Sequence, residues 1–267
     1  MNCIPHDACT IIPAYNSADT LATLLRSLTD LGMRTLVVDD GSTDGTASLA
    51  QAHESLGISL VSHTHNRGKG AALKTGLAWA DQQGFSIAAT LDSDLQHSPF
   101  DLNDLLTIFE LNRLDVLIGS RVHHKDLMPR LRLLGNCFSS FVASRFCRQP
   151  IYDSQCGYRI YRLSTCRRML AELKQPGFAQ ETEVLLRSAV HGLKIGFAPI
   201  QVAYPEAALR GSHFRPVQDT VSITGLFFRE LIKRTFTVAG RHEVKALKRH
   251  GQSHRDWTGY YMLSRSG

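Results

Sequence analysis

Two aspartates one residue apart are the chemically most informative feature of this chain. Residues 92–97 read DSDLQH and directly follow an apolar run at 87–91. Because side chains alternate along an extended strand, Asp92 and Asp94 are expected on the same side of the backbone. Two carboxylates that face open space suit Mg²⁺ or Mn²⁺, which keep coordination positions open for phosphate oxygens. The same residue types also favour surface turns, so the pair alone leaves both interpretations open.

Polar clusters also follow three other apolar runs in the first half of the chain. They read PAYN at 13–16, DDGSTDGT at 39–46 and NRGKG at 66–70. Each belongs to a predicted strand end, and in parallel sheets ligands bind at the carboxyl ends of strands. Capping turns use the same residue types, and Lys69 alone could be a solvated lysine at a helix start. Together with the paired carboxylates, however, the clusters favour one shared binding site.

Predicted strands and helices alternate along this half of the chain. Apolar runs predict strands at 8–13, 35–39, 58–62, 87–91 and 116–119. Apolar spacing and capping signals predict helices at 19–31, 43–56, 70–83 and 98–112. Such alternation predicts a parallel, doubly wound sheet. The sequence lacks the glycine patterns of a dinucleotide fingerprint and of a P-loop.

The second half is less regular. Its patterns predict helices at 128–147, 180–191 and 217–236, strands at 157–162 and 194–202, and a turn at 174–177. After about residue 239 the chain is polar and basic without a clear period. We therefore expect a polar tail after the last helix.

Composition limits which partners and which cellular compartment are expected for the protein. A formal net charge of +6 suits phosphates, anionic lipid or nucleic acid without choosing among them. The six cysteines include no C-x-x-C pair, which predicts reduced thiols in a cytoplasmic protein. No signal-peptide pattern and no apolar run of about 18 residues is visible.

These motifs resemble those of glycosyltransferase family 2, and within it the dolichyl- or polyprenyl-phosphate mannosyl- and glucosyltransferases. The segments that carry the resemblance, over about residues 8–220, read IIPAYN at 11–16, VVDDGSTDGT at 37–46, NRGKG at 66–70, DSDLQH at 92–97, GSR at 119–121, DSQCGYR at 153–159, ETE at 181–183 and SHFRP at 212–216. The resemblance implies the α/β GT-A fold, a Rossmann-like, mostly parallel sheet flanked by helices, with a C-terminal amphipathic helical extension. It places one domain at 1–238, with a nucleotide-binding half at about 8–120 and an acceptor-side half at 121–238, before a tail at 239–267.

The resemblance also assigns roles to individual residues. The nucleotide-sugar donor, linked to UDP or GDP, would be bound by Pro13, Tyr15, Asn16, Val38, Asp40, Lys69, Asp92 and Ser93. Mg²⁺ or Mn²⁺ would be held by Asp92, Asp94 and Gln96. The catalytic residues would be Asp94, Arg121 and Glu183, and the acceptor phosphate would meet Arg121, His213 and Arg215. Two positions depart from the family pattern: Ser17 replaces a frequent glutamate, which weakens the case for GDP, and His213 replaces a frequent lysine.

The implied activity is metal-dependent, inverting transfer of a sugar to a polyprenyl-phosphate-type lipid. A phosphate acceptor needs only orientation, because it is already largely dianionic at neutral pH. A sugar or lipid hydroxyl, the alternative acceptor, needs a general base, for which Glu181, Glu183 and Asp153 are candidates. A non-catalytic protein with a relic site is the third alternative. Among the other arginines, Arg130, Arg132 and Arg159 are expected to face solvent.

Two stretches, at 128–147 and 217–236, combine apolar and basic residues. Such amphipathic segments can lie on a membrane surface, which for a cytoplasmic protein would be the inner face of the membrane. Packing against the domain, or against a second copy of the chain, is the alternative. No nucleic-acid partner is expected.

Overall fold

The computed structural model describes residues 7–123, 128, 130–174, 177, 179–203 and 225. The strands are β1 (Ala8–Ala14), β2 (Arg34–Asp39), β3 (Ile58–Ser62), β4 (Ile87–Thr90), β5 (Val116–Ser120), β6 (Arg159–Arg162) and β7 (Ile195–Pro199). The helices are α1 (Ala18–Asp30), α2 (Thr46–Gln51), α3 (Lys69–Gln82), α4 (Leu102–Leu111), α5 (Arg130–Cys147), α6 (Leu163–Ala171) and α7 (Ala179–Val190).

The seven strands of the described residues belong to one sheet, in the order β3-β2-β1-β4-β6-β5-β7. The pairs among β3, β2, β1 and β4 are parallel, as is β5 with β7, whereas β6 runs antiparallel to both β4 and β5. The predicted mostly parallel α/β sheet flanked by helices is therefore confirmed. Because β1 to β4 are parallel, their carboxyl ends, and the polar clusters that follow them, meet at one edge of the sheet.

Three local expectations were wrong. The strand predicted at 157–162 begins only at Arg159 and is antiparallel, and α6, a helix of nine residues, was not predicted because it is too short to show a clear period. The helix predicted at 43–56 divides into α2 and a 3₁₀ turn at Glu54–Leu56. The break coincides with the His53 ring, whose Nδ1 lies 2.8 Å from the Leu49 carbonyl that a continuing helix would bond to the His53 N–H.

The expected helix at 217–236, apart from Gly225, and the tail at 239–267 lie outside the described residues, as do His213 and Arg215. Within the described ranges, no helix is long and apolar enough to cross a membrane.

Close packing of α3 on β1 sets the position of the site. Every residue of β1 is buried, as expected for a central parallel strand with helices on both faces. Gly76 of α3 lies directly on Ile11, so that a Cβ at this glycine would come 2.3 Å from Ile11 Cγ2. The helix can approach this closely only because residue 76 has no side chain. Its first residue, Lys69, is thereby fixed at the strand-end edge.

Gly76→Ala should destabilise the protein by about 1–3 kcal/mol, because the added methyl group overpacks the contact with Ile11. This effect opposes the higher helix propensity of alanine. Urea unfolding would measure it. Gly45→Ala is the matched control, since its Cβ would find only Ala18 Cβ at 3.9 Å. Equal stability of the Gly76 variant and the wild type would contradict the tight α3–β1 contact.

Candidate active site

The loops after β1 and β2 are tied to each other by short polar contacts. Asn16 has a left-handed backbone, with φ of 49°, a conformation that asparagine tolerates better than most residues. Its N–H donates to Ser42 Oγ at 2.9 Å, and its side-chain Oδ1 accepts from the Thr43 N–H at 2.8 Å. Gly41, with φ of 73°, packs against the backbone of His65, where a Cβ would come within 2.5 Å. Three strand-end loops therefore hold one another in place.

Asp40 organises the loop that leads into α3. Its buried carboxylate accepts the N–H groups of Arg67 at 3.0 Å and Gly68 at 2.7 Å. The same carboxylate lies 2.6 Å from His63 Nδ1, and the other ring nitrogen of His63 lies 3.0 Å from Thr75 Oγ1. Sequence reasoning missed His63, because a single histidine after a strand carries no recognisable pattern. Asp40 thus supports the architecture of the site besides its predicted contact with the donor.

The other predicted nucleotide-site residues also gather at this edge. Pro13 and Val38 are buried neighbours in the β1–β2 ladder, and Tyr15 follows β1 with a partly exposed side chain. Ser93 lies in the loop after β4, where its Oγ is 2.9 Å from Ser17 Oγ. Their roles in nucleotide binding stay predictions.

Lys69 joins two carboxylates that are 89 residues apart in sequence. Its Nζ lies 2.7 Å from Asp92 Oδ1 and 2.9 Å from Glu181 Oε1. Burial would lower the pKa of Lys69, but the two carboxylates outweigh burial and raise that pKa. Burial would likewise raise the pKa of Asp92, but the neighbouring ammonium group reverses the effect and holds that pKa below its usual value. Asp92 is therefore ionised at neutral pH.

A glycine packs against the Asp92 carboxylate, and a buried arginine holds the loop that contains this glycine. Gly157 packs against this carboxylate so closely that a Cβ would come 2.6 Å from Oδ2. Thr90 Oγ1 fixes this glycine by donating to its carbonyl at 2.8 Å. The fully buried Arg159 donates to the carbonyls of Cys156 and Glu181, each at 2.8 Å, and so joins this loop to the start of α7. The expectation that Arg159 faces solvent was wrong, because its partners lie in segments that only the fold brings together.

Asp94 and Gln96 carry side-chain oxygens of the kind that a hard divalent cation binds. The Gln96 N–H donates to Asp94 Oδ1 at 3.0 Å, and the loop is closed by the Ala203 N–H, which donates to the Gln96 carbonyl at 3.0 Å. The described residues contain no group of three histidine, cysteine, aspartate or glutamate side chains that could enclose a metal. One or two carboxylates together with substrate phosphate oxygens suffice for Mg²⁺ or Mn²⁺, so the residues present fit such an ion.

Arg121, the predicted acceptor-phosphate residue, is held by a buried carboxylate. Its Nε lies 2.7 Å from Asp153 Oδ2 and its Nη2 2.9 Å from Asp153 Oδ1. Burial would raise the pKa of Asp153, but the guanidinium outweighs it and lowers that pKa. Asn136 of α5 also donates to Asp153 Oδ1, at 3.1 Å. The direction of the guanidinium is therefore set by residues of two other segments.

The two glutamates at the start of α7 have different surroundings. Residues two apart in a helix point to nearly opposite sides. Glu181 accordingly reaches Lys69, whereas Glu183 Oε2 accepts the N–H of Lys174 at 2.8 Å. The structure thus brings Glu181, and not the predicted catalytic Glu183, into contact with Lys69 beside Asp92.

The chain matches known proteins over most of its length. Residues 9–170 match the family described as Glycosyl transferase family 2. The undecaprenyl-phosphate mannosyltransferase of Micrococcus luteus is 31% identical over 199 residues, which are 72% of this chain and 81% of that protein. The UDP-N-acetylglucosamine–dolichyl-phosphate N-acetylglucosaminyltransferase of Methanococcus voltae is 28% identical over 76% of this chain and 88% of its own length.

Solved structures show the same fold. Glucosyl-3-phosphoglycerate synthase from Mycobacterium tuberculosis, crystallised with Mn²⁺, UDP and phosphoglyceric acid, has a TM-score of 0.57 at 21% identity, covering 86% of this chain and 78% of that one. TarS from S. aureus in complex with UDP has a TM-score of 0.53 at 17% identity, covering 94% and 72%. The expected GT-A fold is confirmed.

Lys69→Met should move the acid limb of the pH profile for kcat/KM to higher pH. Without the ammonium group, burial and the facing Glu181 raise the pKa of Asp92, so the ionised form that the donor site needs is lost earlier as pH falls. Initial rates across a pH series would measure the shift, with circular dichroism to confirm folding.

Glu181→Gln is the matched variant of the same cluster. It leaves the Lys69–Asp92 pair in place and removes the facing negative charge, so the acid limb should not move to higher pH. Coincident acid limbs for Lys69→Met and the wild type would contradict the coupling of Lys69 to Asp92.

Proposed function

Because the chain belongs to glycosyltransferase family 2 and is a glycosyltransferase, we propose that it moves a sugar from a uridine-diphosphate sugar to a polyprenyl-phosphate lipid. Two relatives, at 31% and 28% identity, are named for undecaprenyl phosphate and dolichyl phosphate. Two proteins of the same fold were crystallised with UDP, one of them also with Mn²⁺. These names and complexes support both the acceptor and the donor of the proposal.

The observation that carries the proposal is that each carboxylate that could act as a general base already contacts another group of the protein. Glu181 contacts Lys69, Asp153 pairs with Arg121, and Glu183 accepts a backbone N–H. Each of these contacts occupies a carboxylate oxygen that would otherwise have to reach a hydroxyl acceptor and take its proton, as general-base catalysis requires. A phosphate monoester, with a second pKa of about 6, needs no base. The phosphate acceptor therefore fits this set of carboxylates better than a hydroxyl.

Divalent metal is part of the proposed reaction. The carboxylate of Asp94 and the side-chain oxygen of Gln96 would hold Mg²⁺ or Mn²⁺, next to Asp92. When bound, such an ion neutralises the negative charge that the departing diphosphate gathers. Asp92 retains the Lys69 ammonium as its own counter-ion, so its charge does not depend on the metal.

The small residue at position 17 supports a uridine donor. Ser17 Oγ donates to the Tyr15 carbonyl at 3.2 Å and lies 2.9 Å from Ser93 Oγ. Ser17 therefore brings no charge to this part of the predicted donor site. The family pattern often has a glutamate at this position, and its replacement weakens the case for a guanosine donor.

The acceptor oxygen would attack the anomeric carbon from the side opposite the leaving diphosphate, which inverts the configuration. Arg121 would orient the lipid phosphate, because the Asp153 carboxylate fixes its guanidinium. His213 and Arg215 stay predicted as further phosphate contacts. A lipid acceptor would also bring the protein to a membrane surface.

Asp94→Asn should abolish the effect of Mn²⁺ on UDP binding, because it removes the charge of a proposed metal ligand. In the wild type, Mn²⁺ should strengthen UDP binding by about tenfold or more, equivalent to about 1.4 kcal/mol. Isothermal titration calorimetry with and without Mn²⁺ would measure both effects. Asp19→Asn, at an exposed position in the first turn of α1, should behave as the wild type. GDP binding about tenfold tighter than UDP binding would reverse the donor assignment.

Glu183→Gln should retain turnover, since a glutamine oxygen can still accept the Lys174 N–H and no base is required. The enzyme should use a short-chain prenyl phosphate and not the corresponding free prenol. Radiolabelled sugar transfer would measure both. Loss of turnover in Glu183→Gln with intact donor binding would show that the acceptor is a hydroxyl. Arg121→Ala is a poor probe, because the unpaired buried Asp153 would cost about 3–5 kcal/mol of stability.

A further inference from the structure

The outer face of α5 carries an apolar centre with an arginine at each end. Leu134, Phe138 and Phe141 are 67%, 51% and 65% exposed. Arg130 precedes Leu134 by four residues, and Arg145 follows Phe141 by four residues, both of them exposed. Spacings of three and four residues place all five side chains on one side of the helix. Between the two arginines the helix rises about 22 Å, at 1.5 Å per residue.

The opposite face of α5 is fixed to the domain. Ser139 Oγ lies 2.6 Å from Ser154 Oγ, and Ser140 Oγ accepts the Ser154 N–H at 3.0 Å. Ala143 and Phe146 are part of the hydrophobic core. The exposure of the outer apolar side chains is therefore a property of an anchored helix.

Charge decides which kind of partner this face fits. The helix contains no acidic residue among its 18 positions, and the whole chain carries a net charge of +6. If two copies packed antiparallel through this face, Arg130 of one would meet Arg145 of the other without an acid from α5 between them. A surface of anionic lipid avoids that repulsion, because it offers phosphates to the arginines and acyl chains to the apolar centre.

We propose that the outer face of α5, formed by Arg130, Leu134, Phe138, Phe141 and Arg145, docks on an anionic lipid bilayer. This inference rests on the proposed function, in that a polyprenyl phosphate resides in such a bilayer. The inner face of the same helix supplies Asn136, which donates to Asp153, the partner of Arg121. Docking would therefore set the predicted phosphate-binding arginine at a fixed distance from the lipid surface.

Vesicle co-sedimentation of the full chain tests the proposal. The wild type should bind phosphatidylcholine vesicles that contain phosphatidylglycerol, and bind pure phosphatidylcholine poorly. The triple variant Leu134→Gln/Phe138→Gln/Phe141→Gln should bind these vesicles at least about tenfold more weakly than the wild type, because three apolar side chains no longer enter the lipid. Glutamine keeps the helix propensity high. The control Leu56→Gln/Leu111→Gln removes side chains that are 51% and 79% exposed elsewhere, and should bind as the wild type.

Transfer assays separate this proposal from the proposed function. The triple variant should transfer sugar to a short-chain prenyl phosphate in solution at the wild-type rate, and lose transfer to a long-chain polyprenyl phosphate in vesicles. Wild-type protein that ignores anionic vesicles, or a triple variant that binds them equally well, would overturn the docking surface. So would light scattering that shows the substitutions only dissociating a dimer. Vesicle binding that depends on this face, without transfer to any prenyl phosphate, would support the docking surface and refute the proposed acceptor.

Discussion

The strand-end site depends on one ammonium group placed between two carboxylates. Lys69 Nζ contacts both Asp92 and Glu181. Without it, two largely buried carboxylates would face each other, and one of them would take up a proton. Breaking a buried ion pair typically costs about 3–5 kcal/mol, so the position of Lys69 constrains the rest of the site. That position follows from core packing, because α3 begins at Lys69 and reaches its place only where Gly76 lies on Ile11.

The same constraint gives the two aspartates of the DSDLQH segment different environments. Asp92 is neutralised by a lysine and enclosed by Gly157, whereas Asp94 accepts an N–H of its own loop. An alternating strand pattern treats the two residues as equivalent. The difference between them comes from α3 and from the loop before β6, which both contact Asp92. Asp92 and Asp94 were both predicted as metal ligands; from these environments we propose that Asp94 is the principal one and that Asp92 also contacts the donor.

Local patterns in the sequence predicted the first half of the fold well. Apolar runs located the central strands, and the polar clusters after them marked the edge where the site lies. A strand was predicted where β6 lies, but its antiparallel direction was not, because a run of four residues carries no information on direction or partner. Arg159 was expected to face solvent, since its charge suggests a surface position. The carbonyls that make its burial favourable come from the loop before β6 and from α7.

The glutamates of α7 are a second case in which local sequence patterns could not predict the contacts of a site residue. The sequence offered Glu181 and Glu183 as equal candidates, and only the orientation of the helix decides which of them meets Lys69. The role suggested for Glu183 came from the family resemblance and stays a prediction, whereas the contact of Glu181 with Lys69 is a consequence of helix geometry, in which residues two apart face nearly opposite sides.

On the predicted acceptor side, the groups that would orient a phosphate differ from those that would attract it. Arg121 and Asp153 are both buried and paired through two hydrogen bonds, so together they carry no net charge. Such a unit can direct a phosphate through the geometry of a guanidinium, but it adds little to the long-range potential that draws an anion toward the site. That potential has to come from elsewhere in a chain with a net charge of +6. The arginines on the outer face of α5 are part of it, and they belong to the helix whose inner face, through Asn136, fixes Asp153. In the proposed arrangement, attraction to the lipid surface and orientation of its phosphate would therefore be joined through one helix.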